Sequence, residues 1–170
     1  MFDSIHEECG VFGIFENKTA YVAHSAYLAL FALQHRGQEA CGIAVNDDGV
    51  FGYHRGDGLV PDVFTQESLS RLGRGNMAIG HVRYSTTGGK NPNNIQPLVI
   101  RHIKGNLAVA HNGNLVNAFD LRRQFELGGA IFHGTSDTEA IAYSIVTQRL
   151  VSKSTEEAVC KVMTHLKGAY

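Results

Sequence analysis

Near the start of the chain a cysteine opens directly onto an apolar segment, Cys9-Gly10-Val11-Phe12-Gly13-Ile14. The residues from Val11 to Phe15 favour β structure and are interrupted by a glycine, so they predict a short buried strand. The preceding segment, Met1–Glu8, is acidic and has no apolar centre, which argues against a secretory signal. The cysteine therefore stands between a polar leader and the first predicted element of a folded domain.

The composition of the whole chain predicts one domain with many tight turns or close backbone contacts. The chain has 170 residues, of which 19 are glycine, and 18 of these precede residue 135. Three prolines and the absence of a repeat argue against both a disordered linker and collagen. The net charge of −1, with one adjacent basic pair at Arg122-Arg123, argues against a nucleic-acid partner. The sequence contains no apolar run of the roughly 18 residues that a membrane-spanning helix needs, so we expect no membrane partner either.

The order of the predicted elements indicates an α+β fold, because hairpins dominate early and helices late. A buried helix is predicted over Tyr21–Gln34 and a further strand over Met77–Arg83. Two hairpins are predicted, with strands at Cys41–Val45 and Val50–His54, then at Leu98–Ile103 and Leu107–His111.

Helical patterns begin near Asn117 and dominate after Ser136. Capping boxes at Ser136–Glu139 and Ser154–Glu157 predict the starts of two helices. Lys167–Tyr170 resembles a helix cap at Gly168 followed by the start of a strand, which predicts that the chain stops inside a longer protein.

The three cysteines are widely spaced and odd in number, which favours a reducing cytoplasm over a disulfide framework. Cys41 and Cys160 lie inside apolar patterns and are expected to be small buried side chains. Nine histidines are present, but their spacing matches no C-x-x-C, H-x-x-H or H-x-x-x-H pattern, so we expect no metal site.

Four polar features could carry chemistry, and each also has a structural explanation. Cys9 could be a core cysteine, and Asn112-Gly113 could be an ordinary turn. Arg83, at the end of a predicted strand, could form a surface ion pair. Asp137 could simply complement the dipole of the helix that it begins.

Taken together, these residues suit the hydrolysis of an amide in an α-amino acid. Cys9 can supply a thiolate, while the Asn112 amide and the Gly113 N–H can stabilise an oxyanion. Arg83 suits a carboxylate and Asp137 an ammonium group. A proton acceptor is still needed, and the α-amine of an N-terminal cysteine, with a pKa near ~7.7–8.0, can serve.

Five motifs in this order resemble those of the class II glutamine amidotransferases. They are Cys9–Ile14, Leu33–Glu39, Gly80–Tyr84, Ala110–Leu115 and Ser136–Glu139. Within the family, Leu-Gln-His-Arg-Gly-Gln and His-Val-Arg-Tyr favour the purine-synthesis member that carries a phosphoribosyltransferase domain. Glucosamine-6-phosphate, asparagine and glutamate synthases, or an inactive glutamine-binding fragment, are the alternatives.

The resemblance implies a four-layer αββα sandwich of the N-terminal nucleophile hydrolase type, truncated at its C-terminus. It implies that residues 9–170 form the glutaminase domain and that Met1–Glu8 is a propeptide whose removal frees the amine of Cys9.

The resemblance also implies the roles of the site residues. Cys9 is the expected nucleophile, and Asn112 and Gly113 form the expected oxyanion hole. Arg83 and Thr86 would hold the glutamine carboxylate and Asp137 its ammonium group. Arg36 would be a positioning residue beside the cysteine.

The expected partners are L-glutamine and a covalently attached phosphoribosyltransferase domain, in a full-length enzyme that is a homo-oligomer. No cofactor is expected in this chain. Full-length members use Mg²⁺ and, in some cases, a 4Fe-4S cluster, whose ligands are expected outside this segment.

Overall fold

The computed structural model of the chain describes residues 9–84 and 91–170. These residues form eight strands and six α-helices. The strands are β1 (Gly10–Ala20), β2 (Ala40–Asp47), β3 (Val50–Asp57), β4 (Gly75–Arg83), β5 (Leu98–His102), β6 (Gly105–Val109), β7 (Asn114–Leu115) and β8 (Gly168–Ala169). The helices are α1 (Val22–Ala32), α2 (Val60–Val63), α3 (Gln66–Leu72), α4 (Ala118–Leu127), α5 (Asp137–Val151) and α6 (Thr155–Met163).

The largest sheet has four antiparallel strands in the order β1-β4-β2-β3. Gly10 of β1 is paired with Val82 of β4, so the residue before β1 lies beside the end of β4. This register brings Cys9 next to Arg83 and Tyr84, although more than 70 residues separate them in the sequence. The site therefore begins at one end of this strand pair.

Helix α1 covers one face of the four-stranded sheet. Val22, Ala26 and Leu30 are buried there against Ala78 and Val82. The 3-10 turn that follows α1 runs back to the end of β4, where a Cβ on Gly37 would lie 2.7 Å from the backbone nitrogen of Arg83. Glycine at position 37 is therefore required for this close approach.

The other layers come from the second half of the chain. The β5–β6 hairpin packs against α5 and α6, with a core that contains Ile141, Ile145 and Val162. Arg55 of β3 donates to the carbonyl of Pro97 just before β5 (3.5 Å), which ties the hairpin to the four-stranded sheet. The layers thus follow the predicted order of helix, sheet, sheet and helices.

Most predicted elements are confirmed, but the first strand and two turns differ. The strand predicted to be short and buried over Val11–Phe15 is the eleven-residue β1, in which Val11 and Phe15 are exposed. The second hairpin turns at Ile103-Lys104, with Gly105 already paired to His102 in β6. Helix α6 ends at Met163, so the prediction that Gly168 caps it is wrong. The side chain of Asn117 binds the backbone of His165 and Lys167, which directs the chain into β8 instead.

Two short helices, α2 and α3, are absent from the sequence prediction. They have four and seven residues, which is too short for a helical period to stand out. Among the described residues, no helix is both long and apolar enough to cross a membrane.

Candidate active site

A polar cavity of about 210 Å³ lies where the ends of β1 and β4 face the start of α5. It contains four of the residues that the sequence singles out: Cys9, Arg83, Gly113 and Asp137. The other lining residues are Tyr84, Asn94, Gln96, His111, Asn114, Ala118, Thr135 and Ser136. The fold therefore brings the candidate nucleophile and both candidate substrate-binding charges to one small cavity.

The backbone just after β4 contacts the Cys9 thiol. The Tyr84 N–H donates to Cys9 Sγ at 3.3 Å, and the Tyr84 carbonyl lies 3.5 Å from the same sulfur. A backbone N–H stabilises a thiolate, and a carbonyl accepts from a thiol. The Tyr84 backbone can therefore form a hydrogen bond with Cys9 whether its sulfur is a thiol or a thiolate. The half-buried sulfur remains at the cavity wall.

Two side chains hold the Cys9 carbonyl. Asn112 Nδ2 donates to this oxygen at 2.7 Å, and Arg36 Nε donates to it at 3.3 Å. The amide nitrogen of Asn112 carries a second hydrogen, so Asn112 remains a candidate oxyanion donor. Arg36 contacts the backbone of the candidate nucleophile, as a positioning residue would.

Gly113 lies where its backbone must pass another strand closely. A Cβ at this position would lie 2.2 Å from the carbonyl oxygen of Ala169 and 3.0 Å from His111 Nε2. Ala169 is paired with Asn114 in the β7–β8 ladder and His111 is buried, so any side chain would displace the backbone whose N–H is the second candidate oxyanion donor.

We expect Gly113→Ala to lower kcat for glutamine hydrolysis on the order of 10²-fold, because one displaced oxyanion donor costs about that much. Steady-state kinetics would measure it. Gly52→Ala in β3 is the matched control, because its Cβ would meet only ordinary contacts at 3.6 Å or more, and it should keep wild-type kcat. Equal kcat values in the two variants would remove Gly113 from the oxyanion hole.

Asp137 is the first residue of α5, and its carboxylate is held from two sides. The Leu115 N–H donates to Oδ2 at 2.9 Å, and His111 Nδ1 lies 3.6 Å from Oδ1. Burial raises the pKa of this carboxyl, but hydrogen bonds from His111, Leu115 and Thr138 outweigh it and bring the pKa below its ordinary value. Asp137 is therefore a carboxylate at neutral pH and can accept an ammonium group.

Arg83 lines the same cavity, at the end of β4. Its place in the cavity that Cys9 and Asp137 also line is compatible with binding the carboxylate of an amino acid. Thr86, the other residue predicted for that carboxylate, lies outside the described residues.

Several residues at this site are missed by sequence reasoning. Gln96 Oε1 accepts from the His111 backbone N–H at 2.6 Å, and the His111 ring lies beside Asp137. Asn94 and Gln96 are buried amides within Asn94-Ile95-Gln96-Pro97, just before a strand. The only sign of their role in the sequence is that two amide side chains precede an apolar strand. Amide residues are common in surface loops and form no periodic pattern, so this sign does not distinguish a site from a loop.

His81 is fully buried in β4, close to Arg83 and His111. Burial lowers its pKa from 6.5 to about 4. An unfolded chain takes up this proton below pH 6.5, whereas the folded chain takes it up only near pH 4. The stability that neutral His81 contributes is therefore complete above pH 6.5 and is lost as the pH falls toward 4.

We expect the free energy of unfolding of the wild type to fall by roughly 3 kcal/mol from this group between pH 6.5 and pH 4. The leucine side chain of His81→Leu stays neutral, so the free energy of unfolding of this variant should fall correspondingly less. Urea unfolding of both chains at the two pH values would measure the difference, and an identical loss in both would contradict the assignment to His81.

The remaining cysteines have different environments. Burial, together with the charge of Asp62, raises the pKa of Cys41 to about 12, so this thiol is not a nucleophile at neutral pH. The prediction that Cys160 is buried is wrong. It is exposed on α6, because Ala158 and Val162 form the side of the helix that faces the core.

Within residues 9–84 and 91–170, no three His, Cys, Asp or Glu side chains are grouped as a metal site. The expectation that this chain carries no cofactor of its own stays a prediction.

Comparison with known proteins identifies the family of this chain. A family model described as a glutamine amidotransferase domain matches residues 81–170. The chain belongs to this family.

Several amidophosphoribosyltransferases are similar to this chain. The chain is 48% identical to that of Methanocaldococcus jannaschii over 162 residues, which is 95% of this chain and 34% of the relative. It is 45% identical to that of Bacillus subtilis over 167 residues, which is 98% of this chain and 34% of the relative. The chain thus spans about a third of the length of these relatives.

Two solved structures share the fold. One is glutamine phosphoribosylpyrophosphate amidotransferase from B. subtilis complexed with ADP and GMP (TM-score 0.78, 42% identity, 93% of this chain and 33% of that chain). The other is described as the allosteric regulatory enzyme of purine biosynthesis (TM-score 0.83, 44% identity, 94% of this chain and 34% of that chain). The predicted α+β fold of the N-terminal nucleophile hydrolase type is confirmed.

Proposed function

We propose that this chain is a glutaminase domain that hydrolyses L-glutamine to glutamate and ammonia through a thioester on Cys9. The observation that carries the proposal is the cavity that Cys9, Arg83 and Asp137 line together. A cation and an anion in one cavity with a nucleophile match the two charges of an α-amino acid. The family match to a glutamine amidotransferase domain supports the same substrate.

The first half of the reaction forms the thioester. The Cys9 thiol gives its proton to the base, and Sγ bonds to the side-chain carbonyl carbon of glutamine. The oxygen becomes an oxyanion, to which Asn112 Nδ2–H and the Gly113 N–H donate. The C–N bond then breaks, and the leaving nitrogen takes the proton from the base and departs as ammonia.

The second half releases glutamate. A water molecule gives a proton to the same base and adds to the thioester carbon, so that the oxyanion forms again at the same donors. The C–S bond breaks, and the Cys9 sulfur recovers a proton. Arg36 and Asn112 hold the Cys9 carbonyl throughout, so the nucleophile keeps its orientation.

The base in this proposal is the α-amine of Cys9, and Met1–Glu8 is a propeptide whose removal exposes it. In a chain that begins at Cys9 the amine lies on the residue that carries the thiol, so it is close enough to accept the thiol proton. Residues 9–170 are the corresponding glutaminase domain.

In the full-length protein, we assign the ammonia to phosphoribosylamine formation by a covalently attached phosphoribosyltransferase domain. The names of the relatives and the one-third share of their length support this assignment. The proposal also includes a homo-oligomeric full-length enzyme in the cytoplasm, with Mg²⁺ and any 4Fe-4S cluster bound outside this segment.

The test is product analysis with the chain that begins at Cys9. Glutamate and ammonia should appear in equal amounts, and added hydroxylamine should divert part of the product to γ-glutamyl hydroxamate by attacking the thioester. A folded chain that binds glutamine but forms no glutamate would favour the binding-fragment alternative. Glutamate without hydroxamate would argue against a thioester intermediate.

A further inference from the structure

The loop at residues 133–136, which leads directly into Asp137, has every one of its backbone N–H groups bound by one of two side chains. Glu139 Oε1 accepts from His133 at 2.9 Å, and Oε2 accepts from Gly134 at 2.8 Å. Asn94 Oδ1 accepts from Thr135 at 2.8 Å and from Ser136 at 3.2 Å. Asn94 and Glu139 thus bind four consecutive N–H groups of this 133–136 loop.

Both side chains are themselves confined. Asn94 is 3% exposed and Glu139 is 9% exposed. Asn94 Nδ2 also donates to Thr135 Oγ1 at 2.9 Å, and a Cβ on Gly134 would lie 2.4 Å from Asn94 Oδ1. A buried carboxylate that loses its donors is costly, so the loop has one favourable position relative to these two residues.

The sequence predicts a different role for Glu139. In a capping box it would accept from the backbone N–H of Ser136. In the structure, Asn94 accepts from that N–H, and Glu139 accepts from the N–H groups two and three residues further upstream. The helix is still capped by Ser136 Oγ, which accepts from the Thr138 N–H at 3.1 Å.

The 133–136 loop matters to the site because of what it carries. Thr135 and Ser136 line the cavity together with Asn94, and Asp137 follows immediately. The loop therefore ends at the residue whose carboxylate lines the cavity. Asn94 comes from a distant part of the chain, so its hydrogen bonds locate the loop relative to the cavity wall that Asn94 forms, while Glu139 ties the loop to the start of α5, where Asp137 lies.

We propose that Asn94 and Glu139 are positioning residues for substrate: by holding the 133–136 loop, they place Asp137 to receive the α-ammonium group of glutamine. This rests on the proposed glutaminase function and adds a determinant of specificity for α-amino acids. Neither residue contacts a reacting atom in this role, so we expect substitutions of either one to change KM more than kcat.

The decisive comparison uses glutamine and glutaramate, which is glutamine without its α-amino group. Glu139→Gln keeps the size of the side chain but replaces one acceptor oxygen with an NH₂ group facing a backbone N–H. We expect KM for glutamine to rise about 10-fold, because one charge-assisted hydrogen bond is lost, with kcat within about twofold. KM for glutaramate should stay within about twofold of the wild-type value, because that substrate has no ammonium group for Asp137 to bind.

Glu67→Gln is the matched control. Its carboxylate is exposed on α3, is paired with Arg71 and lies outside the cavity, so both KM values should stay at those of the wild type. Gly134→Ala is the second variant, in case Glu139→Gln does not fold. Its Cβ would push the loop away from Asn94 without removing a charge, and it should give the same pattern.

The outcomes separate the two proposals. A wild-type chain beginning at Cys9 that does not hydrolyse glutamine overturns the proposed function. An active wild type in which either variant raises KM for both substrates equally, or for neither, overturns the positioning role. A selective rise for glutamine supports it.

Discussion

Replacement of Cys9 by alanine should abolish glutamine hydrolysis while leaving glutamine binding intact. We expect kcat to fall by on the order of 10⁴-fold or more, because removing the nucleophile of a covalent mechanism leaves only binding and oxyanion stabilisation. Arg83 and Asp137 remain in the cavity, so the dissociation constant for glutamine should change little. Product analysis measures the first quantity and calorimetry the second.

Cys160→Ala is the matched control for this variant. It removes the same thiol from an exposed position on α6, outside the cavity, and should keep wild-type kcat. Activity retained in Cys9→Ala would show that another group is the nucleophile. Loss of both activity and glutamine binding would show instead that the variant had disturbed the site as a whole.

The second large effect concerns the amine of Cys9. A chain that keeps Met1–Glu8 has an amide nitrogen at Cys9, and an amide nitrogen does not accept a proton near neutral pH. We expect the chain that begins at Cys9 to be about 10²- to 10⁴-fold more active than the longer chain, which is the contribution of a positioned general base.

Mass spectrometry of the active fraction tests this directly. A mixed preparation should show activity in proportion to the fraction of molecules that begin at Cys9. A chain of the same residues with an acetylated amine is the control, because it loses the base without regaining the leader. Full activity with Met1–Glu8 attached would exclude the amine as the base.

The parts of the site that sequence reasoning identified are those whose chemistry depends on residue type in a short motif. Cys9 stands out because a strand follows it directly, and Asn112-Gly113 because an amide precedes a residue without a side chain. Asp137 stands out because a capping residue precedes it. The fold class follows from hairpins early and helices late, since hydrophobic periods of about 2 and 3.6 residues are local properties.

The parts that sequence reasoning missed depend on contacts between distant segments. Asn94 is a polar loop residue in the sequence, and only the structure shows that it is buried and accepts hydrogen bonds from Thr135 and Ser136. Glu139 fits a capping box equally well in the sequence, but Asn94 already binds the donor that the box would use. Cys160 lies within the apolar pattern of α6. It is two residues from both Ala158 and Val162, however, which places it on the opposite side of the helix from the packed core.

By itself, the sequence determined the nucleophile candidate, the order of the motifs, the family resemblance and the alternation of strands and helices. All of these are local patterns of residue type. Only the tertiary structure decided that the Tyr84 backbone contacts the thiol, that Arg36 and Asn112 share the Cys9 carbonyl, and that Asn94 and Glu139 hold the loop before Asp137. Those hydrogen bonds join groups up to 103 residues apart, and their geometry is fixed by sheet register and packing, which leave no local pattern in the sequence.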